Sequence, residues 1–374
     1  MKKSLIALAA LATVATAAQA QSSVTIYGIL DAGVTQVSNT SGVAAVTGLT
    51  NGGLSTPRIG FRGVEDLGGG LKAGFTLEAE FLVDNGSQGS TPEALFARES
   101  SVSLSGNLGE AKLGRFNIFT YGLLAKFDGL GANNIGGAVA TGNRPARIEN
   151  AVQYVTPKLN GLQAGVQTGT RTSSSTATYG EVAGDTSGNR TNGIFVSYDQ
   201  GPLELAVGYS DERDYAASKI KDYQFAFARY DFGVAKVVLG ALNQDIARAA
   251  ASASTTAANN TSSTTFAATD TRKTDKLFLG ANVPVKGTNF TLNGQVEQIK
   301  YTLNNGTVRK PVVYTANVNY ALSKRTTVYA IYAVAKDDNG SSQDIVDSGK
   351  LSGFSGSYAG ADKQAASIGV RHTF

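Results

Sequence analysis

Apolar and polar residues alternate with a period of two along nearly the whole chain, and only a β-strand sends successive side chains to opposite faces. Between Phe290 and Glu297, one face carries Phe290, Leu292, Gly294 and Val296 and the other Thr291, Asn293, Gln295 and Glu297. Leu203, Leu205, Val207 and Tyr209 oppose Glu204, Ala206, Gly208 and Ser210 in the same way. Val312, Tyr314, Ala316, Val318 and Tyr320 oppose Val313, Thr315, Asn317 and Asn319. Strands of this kind must hide one face. A soluble sandwich turns that face inward, whereas a closed membrane barrel turns it out to lipid.

The connections separate these two cases. Short ones fall at Glu65 to Gly70, Gly106 to Gly109, Pro157 to Asn160, Gln200-Gly201, Asp231 to Gly233, Val285 to Gly287 and Ser323-Lys324. Longer polar segments lie between them, at about 38–53, 84–95, 116–147, 171–190, 212–220, 246–273, 302–311 and 337–361. Short turns at one end and long loops at the other are the habit of outer-membrane barrels. Seven turns and eight loops join sixteen segments, and the last, Lys363 to Phe374, can pair with the first, Val24 to Val37, to close the sheet. The reading is therefore an all-β, sixteen-stranded antiparallel transmembrane barrel with long extracellular loops and an aqueous lumen. Ala249 to Thr271, rich in Ala, Ser, Thr and Asn, reads as an exposed extracellular loop rather than a linker, and no second domain is visible.

The first twenty residues stand apart. Lys2 and Lys3 precede an apolar run from Ser4 to Ala17, and Ala18-Gln19-Ala20 has the small-x-small form of a cleavage site. The run is shorter than the roughly 20 residues of a spanning helix, so residues 1–20 read as a cleaved signal peptide and 21–374 as the barrel. An exported chain without cysteine has no disulfides to stabilise it, which leaves a large core or a membrane. Removing the two lysines takes the formal net charge from +4 to +2, which gives no support to a nucleic-acid partner.

Catalytic material is scarce. The single histidine, His372, and the absence of cysteine leave little for a histidine-based triad or a zinc site, and no cofactor is expected. Gly68-Gly69-Gly70 lacks the following Lys-Ser or Lys-Thr of a phosphate loop and reads as a turn. Glu65-Asp66 reads as solvated charge in a turn, and Asp337-Asp338 as solvated charge opening a surface loop or a weak calcium site. The chain is not expected to be an enzyme.

Ser23-Val-Thr-Ile-Tyr-Gly-Ile-Leu-Asp31 followed by Arg58-Ile-Gly-Phe-Arg62-Gly-Val-Glu-Asp-Leu-Gly-Gly-Gly-Leu71 closely resembles the general porins of β-proteobacteria. Leu113-Gly-Arg-Phe116 before a long third loop, Arg147-Ile-Glu-Asn150 after it, and the ending Gly369-Val-Arg-His-Thr-Phe374 match the same family. The resemblance implies a homotrimer in the outer membrane of a Gram-negative bacterium, surrounded by lipid and lipopolysaccharide. Each barrel would have its own pore, narrowed by an inward-folded third loop at about 116–147. It also gives Phe374 a role in a signal read by the barrel-assembly machinery, compatible with a place in an interfacial aromatic girdle.

A pore of this kind works by geometry and field. Fixed cations in a narrow aqueous constriction concentrate anions, and arginine remains charged at any working pH. Ile59 and Phe61 take the apolar face of their strand, so Arg58, Gly60 and Arg62 should face the lumen, Arg62 nearer the periplasmic rim. An arginine turned to lipid at mid-bilayer would cost roughly 2–4 kcal/mol. Arg147 shares parity with Glu149, Ala151 and Gln153, opposite Ile148, Val152 and Tyr154, and should also point inward. Arg98 matches the family's arginine but shares parity with Val102 and Leu104, so it needs a bulge or a wall facing protein.

Asp128 is the only carboxylate of the third loop, Asn117 to Ala146, beside Lys126 and Arg144. It is a candidate counter-charge to the arginine wall, or else a solvated turn residue. Glu78 and Glu80 alternate inward and would offset part of the positive charge. The expected function is passive diffusion of small hydrophilic solutes, with a moderate preference for anions. A substrate-specific porin with an internal binding site and a barrel-borne adhesin are the alternatives.

Overall fold

The computed structural model describes residues 23–39, 44–89, 94–131, 134–141, 146–171, 189–213, 219–246, 271–336, 345–346 and 362–374. The expected signal peptide, Asp337-Asp338, Arg144 and nearly all of the Ala249–Thr271 stretch lie outside these residues. Among the described residues the first half comprises β1 (Ser23–Asn39), β2 (Val46–Asn51), β3 (Arg58–Gly68), β4 (Leu71–Glu80), β5 (Glu99–Gly106), β6 (Gly109–Asn117), the helix α1 (Phe119–Phe127), β7 (Arg147–Val155) and β8 (Leu162–Arg171). The second half comprises β9 (Asn189–Gln200), β10 (Leu203–Arg213), β11 (Lys219–Asp231), β12 (Lys236–Ile246), β13 (Thr271–Pro284), β14 (Phe290–Leu303), β15 (Val308–Arg309), β16 (Val312–Ala321), β17 (Thr326–Lys336) and β18 (Lys363–Thr373).

These strands form one antiparallel sheet in which chain neighbours pair, and β1 pairs with β18 from Ile29↔Thr373 to Asn39↔Lys363. That last pairing removes both sheet edges, so every strand finds its hydrogen-bond partners inside the wall. The wall has sixteen positions because two of them are split. The lower half of β1 pairs with β3, up to Ile29↔Arg58, and the upper half with β2, from Ala32↔Asn51. Likewise β15 and β16 share β14 as partner. The sixteen-strand reading is thus borne out, with the seven short turns at one end.

Alternation sorts the two faces as expected. Leu239, Leu277, Leu279, Phe290, Leu292 and Tyr314 are exposed on the outer surface, where lipid takes the place of a core. Gln295, Glu297, Thr315 and Asn317 are buried on the inner one. What buries them is chain folded into the lumen. Between β2 and β3 the chain leaves the wall, turning at Gly52 with φ +90°. The Asp31 carboxylate accepts from the backbone N–H groups of Gly53 (3.1 Å), Leu54 (3.0 Å) and Ser55 (2.7 Å) and from the Tyr329 hydroxyl (2.7 Å). An inward carboxylate thereby satisfies three backbone donors that the departure from the ladder had freed.

Candidate functional site

The connection between β6 and β7 runs inside the barrel. Its helix, α1, docks through Phe119, Leu124 and Phe127 onto inward-facing Phe195, Phe225, Phe227 and Phe278 of β9, β11 and β13. Phe119 meets Phe195 edge-on at 4.6 Å between ring centres, and Phe127 stacks on Phe227 at 5.6 Å. Lys126, in the last turn of α1, favours the negative end of the helix and reaches Glu204 at 2.8 Å.

Beyond the helix the connection is fastened to β13–β16. The Gly129 N–H donates to Gln295 Oε1 at 2.8 Å, and the Thr315 hydroxyl donates to the Gly136 carbonyl at 2.9 Å. Lys276 Nζ donates to the Ala138 carbonyl (3.0 Å) and the Thr141 hydroxyl (2.5 Å), and lies 3.3 Å from Glu297. The Thr141 hydroxyl in turn donates to Glu297 at 2.6 Å. The Lys276 and Glu297 side chains are 1 % and 0 % exposed. A buried pair with this many hydrogen bonds adds little net stability but fixes one position of the connection against the wall.

Asp128 belongs to this fastening. Only 4 % exposed, its carboxylate accepts from the N–H groups of Leu130 (2.9 Å) and Val139 (3.2 Å). Burial pushes its carboxyl up to about 6, and the nearby charge of Glu297 adds to the rise while Lys276 opposes it. The structure therefore encloses Asp128 beside β13 and β14 and places it neither opposite the arginines nor in a solvated turn.

Three of the four sequence-selected arginines come together on the opposite side of the lumen. Arg98 Nε lies 2.6 Å from Glu78 and its Nη1 3.0 Å from Glu80, while Arg58 Nη1 lies 3.7 Å from Glu78. Arg147 donates through Nε to the Arg98 carbonyl at 3.2 Å and lies over the Tyr121 ring of α1 at 5.4 Å. Tyr27 donates to Glu78 at 3.0 Å and occupies the space left by Gly60. Arg62 stands further down the wall, opposite Thr25, with its guanidinium 5.0 Å from the Tyr27 ring centre. Three guanidinium groups against two carboxylates leave the cluster with one net positive charge.

Local irregularities, not alternation, deliver two of these groups. Arg98 sits at a bend one residue before β5, where its N–H donates to the Glu78 carbonyl at 3.2 Å. The parity argument for Arg147 needs correction. Asn150, at φ 44°, opens a bulge, and the register shifts on both sides of β7. Ile148, expected outside, is fully buried with Phe116, Ile118 and Ala151, and Glu149 pairs with Arg115. Lys276, Thr141 and the inward phenylalanines escaped the sequence reading. The signal of the phenylalanines was bulk on the wrong face: in β11, Phe225 and Phe227 point inward while Ala226 and Ala228 face out.

A family model described as Gram-negative porin matches residues 7–340. The outer membrane porin protein 32 of Delftia acidovorans is 34 % identical over 387 residues, covering all of both chains. An outer membrane porin protein of Bordetella pertussis is 28 % identical over 90 % of this chain and 95 % of its own. Among solved structures, an anion-selective porin from Comamonas acidovorans superposes with a TM-score of 0.71 at 29 % identity, covering 95 % of this chain and 100 % of that one.

Proposed function

This chain belongs to the Gram-negative porin family and forms a channel in the outer membrane, through which, we propose, small hydrophilic solutes and ions diffuse passively with a moderate preference for anions. The observation that carries the preference is the wall cluster of Arg58, Arg98 and Arg147 around Glu78 and Glu80, with its single surplus positive charge. A fixed surplus of one charge in a narrow aqueous passage biases the ion population without excluding cations. Arg62 extends the positive wall toward the periplasmic mouth. Asp128 is withdrawn from the passage, so it does little to offset the arginines. The anion selectivity named for the Comamonas protein agrees with this sign.

A homotrimer fits the outer surface. Exposed aromatic side chains at the turn end of the wall fall mostly from β7 onward, among them Tyr154, Tyr230, Phe232, Phe290 and Phe374, with Phe75 of β4 the exception, as expected of an interfacial girdle that a neighbouring copy interrupts. From β1 to β6 the exposed outer face is mainly aliphatic, with Val24, Ile26, Leu30, Val34, Val102, Leu104 and Leu113. That face is suited to another copy of the barrel rather than to headgroups.

The test is conductance in a planar bilayer with a potassium chloride gradient. Stepwise openings and an anion-selective zero-current potential are expected, and Arg58→Gln should reduce that potential, because it removes the cluster's surplus charge and leaves Arg62. A cation-selective wild type would overturn the electrostatic reading and leave the channel intact.

A further inference from the structure

A crevice separates α1 from the inner wall of β5–β9, with a volume of about 320 Å³, at the lower end of the roughly 300–1,000 Å³ typical of small-molecule sites. One side of it is charged and the other aromatic. Lys112 Nζ lies 3.3 Å from Glu99 Oε1, and the Ser101 hydroxyl donates to that same oxygen at 2.7 Å. Both contacts fall on Oε1, so Oε2 keeps its capacity to accept. The next carboxylate for Lys112, Glu110, is 3.9 Å away, beyond hydrogen-bond reach, and leaves ammonium protons for a ligand. Gln153, opposite Lys112 across the β6–β7 ladder, adds an amide. Facing these groups are the edge-packed rings of Phe119 and Phe195, together with Leu123.

We propose that this crevice is a subsite for small zwitterions bearing an apolar side chain, of the free amino acid kind. A simple anion entering it meets Glu99, and a simple cation meets Lys112, each at a like-charge cost. A molecule carrying both charged groups on one carbon satisfies both residues and lays its ring on Phe119 and Phe195. None of Arg58, Arg98 and Arg147 lines the crevice, so the subsite is separate from the proposed selectivity cluster. The inference rests on the barrel being an open channel, since solute reaches the crevice only through the lumen.

The chain contains no tryptophan, so indole emission reports on an added ligand alone. Detergent-folded protein should raise the fluorescence anisotropy of L-tryptophan saturably. Tryptamine and indole-3-acetate, each missing one charge, should bind about tenfold more weakly or worse. Glu99→Gln should narrow the gap between L-tryptophan and indole-3-acetate. Gly122→Leu provides a second variant: a Cβ at Gly122 meets no atom within 4 Å, so leucine fills the crevice without straining the helix, and binding should be lost. Equal binding of the three probes, no binding at all, or binding undiminished by Gly122→Leu overturns the subsite. Bilayer conductance of the same preparation keeps the two readings apart, because an absence of channels would sink the porin reading whatever the anisotropy shows.

Discussion

Arg98 supplies the cation shared by Glu78 and Glu80 from a side chain only 6 % exposed, so neutralising it removes charge balance and hydrogen bonds together. Arg98→Gln should destabilise the folded barrel by about 3–5 kcal/mol, the usual cost of breaking a buried pair, and turn the zero-current potential toward cations. Thermal unfolding and bilayer recordings check the two effects. Asp128 brings a pH dependence whose sign follows from its raised carboxyl, at about 6 against about 4 for an ordinary aspartate. Its contribution to holding the inner connection is complete below the ordinary value and is lost as pH rises through about 6. Single-channel current should therefore fluctuate less at about pH 5 than at about pH 7.5, and Asp128→Asn should flatten that difference. Arg58 was legible in the sequence because β3 keeps strict alternation from Arg58 to Arg62. Arg98 conflicted with its strand because the bend that turns it inward lies just outside β5, where periodicity carries no information. The enclosure of Asp128 was not legible at all, since the groups around it come from β13 and β14.

At the level of elements, the inner connection is seated by close approach as much as by its fastening. A Cβ added to Gly280 of β13 would stand 2.8 Å from the Gly129 Cα, a distance that real contacts do not tolerate. Gly280→Val should push residues 128–131 toward the pore axis, and single-channel conductance should fall while the ion preference stays the same. An unchanged conductance would mean that this stretch does not border the passage. The turns and wall strands could be read from spacing because each depends on neighbours in the chain. The course of the inner connection could not. It is set by aromatic side chains on the inner faces of β9, β11 and β13, and alternation assigns a face to bulk only after one knows which face meets lipid. The loop expected at about 38–53 covers β2 and only the start of the excursion that follows it, because the partners of that excursion, Asp31 and Tyr329, lie 24 and 276 residues from the donors they serve.

Across the whole molecule, closure depends on one seam. Phe374 exchanges two backbone hydrogen bonds with Gly28, each 3.1 Å, and its ring occupies the place where a Gly28 side chain would stand. Gly28→Val should lower the fraction of chains that reach the compact, heat-modifiable form on refolding, read as a shift in unheated gel mobility; an equal fraction would show that the seam tolerates a displaced ring. The fastening described for the inner connection bears on timing as well. Gly129 and Gln295 are 166 residues apart, so the bond that seats the constriction joins the first half of the chain to strands made much later. Contacts of such long sequence separation form late, after the loop-closure entropy has been overcome. A barrel that has threaded only its early strands thus lacks the β13 and β14 partners that hold the constriction, so its calibre is set only once the second half of the chain is in place.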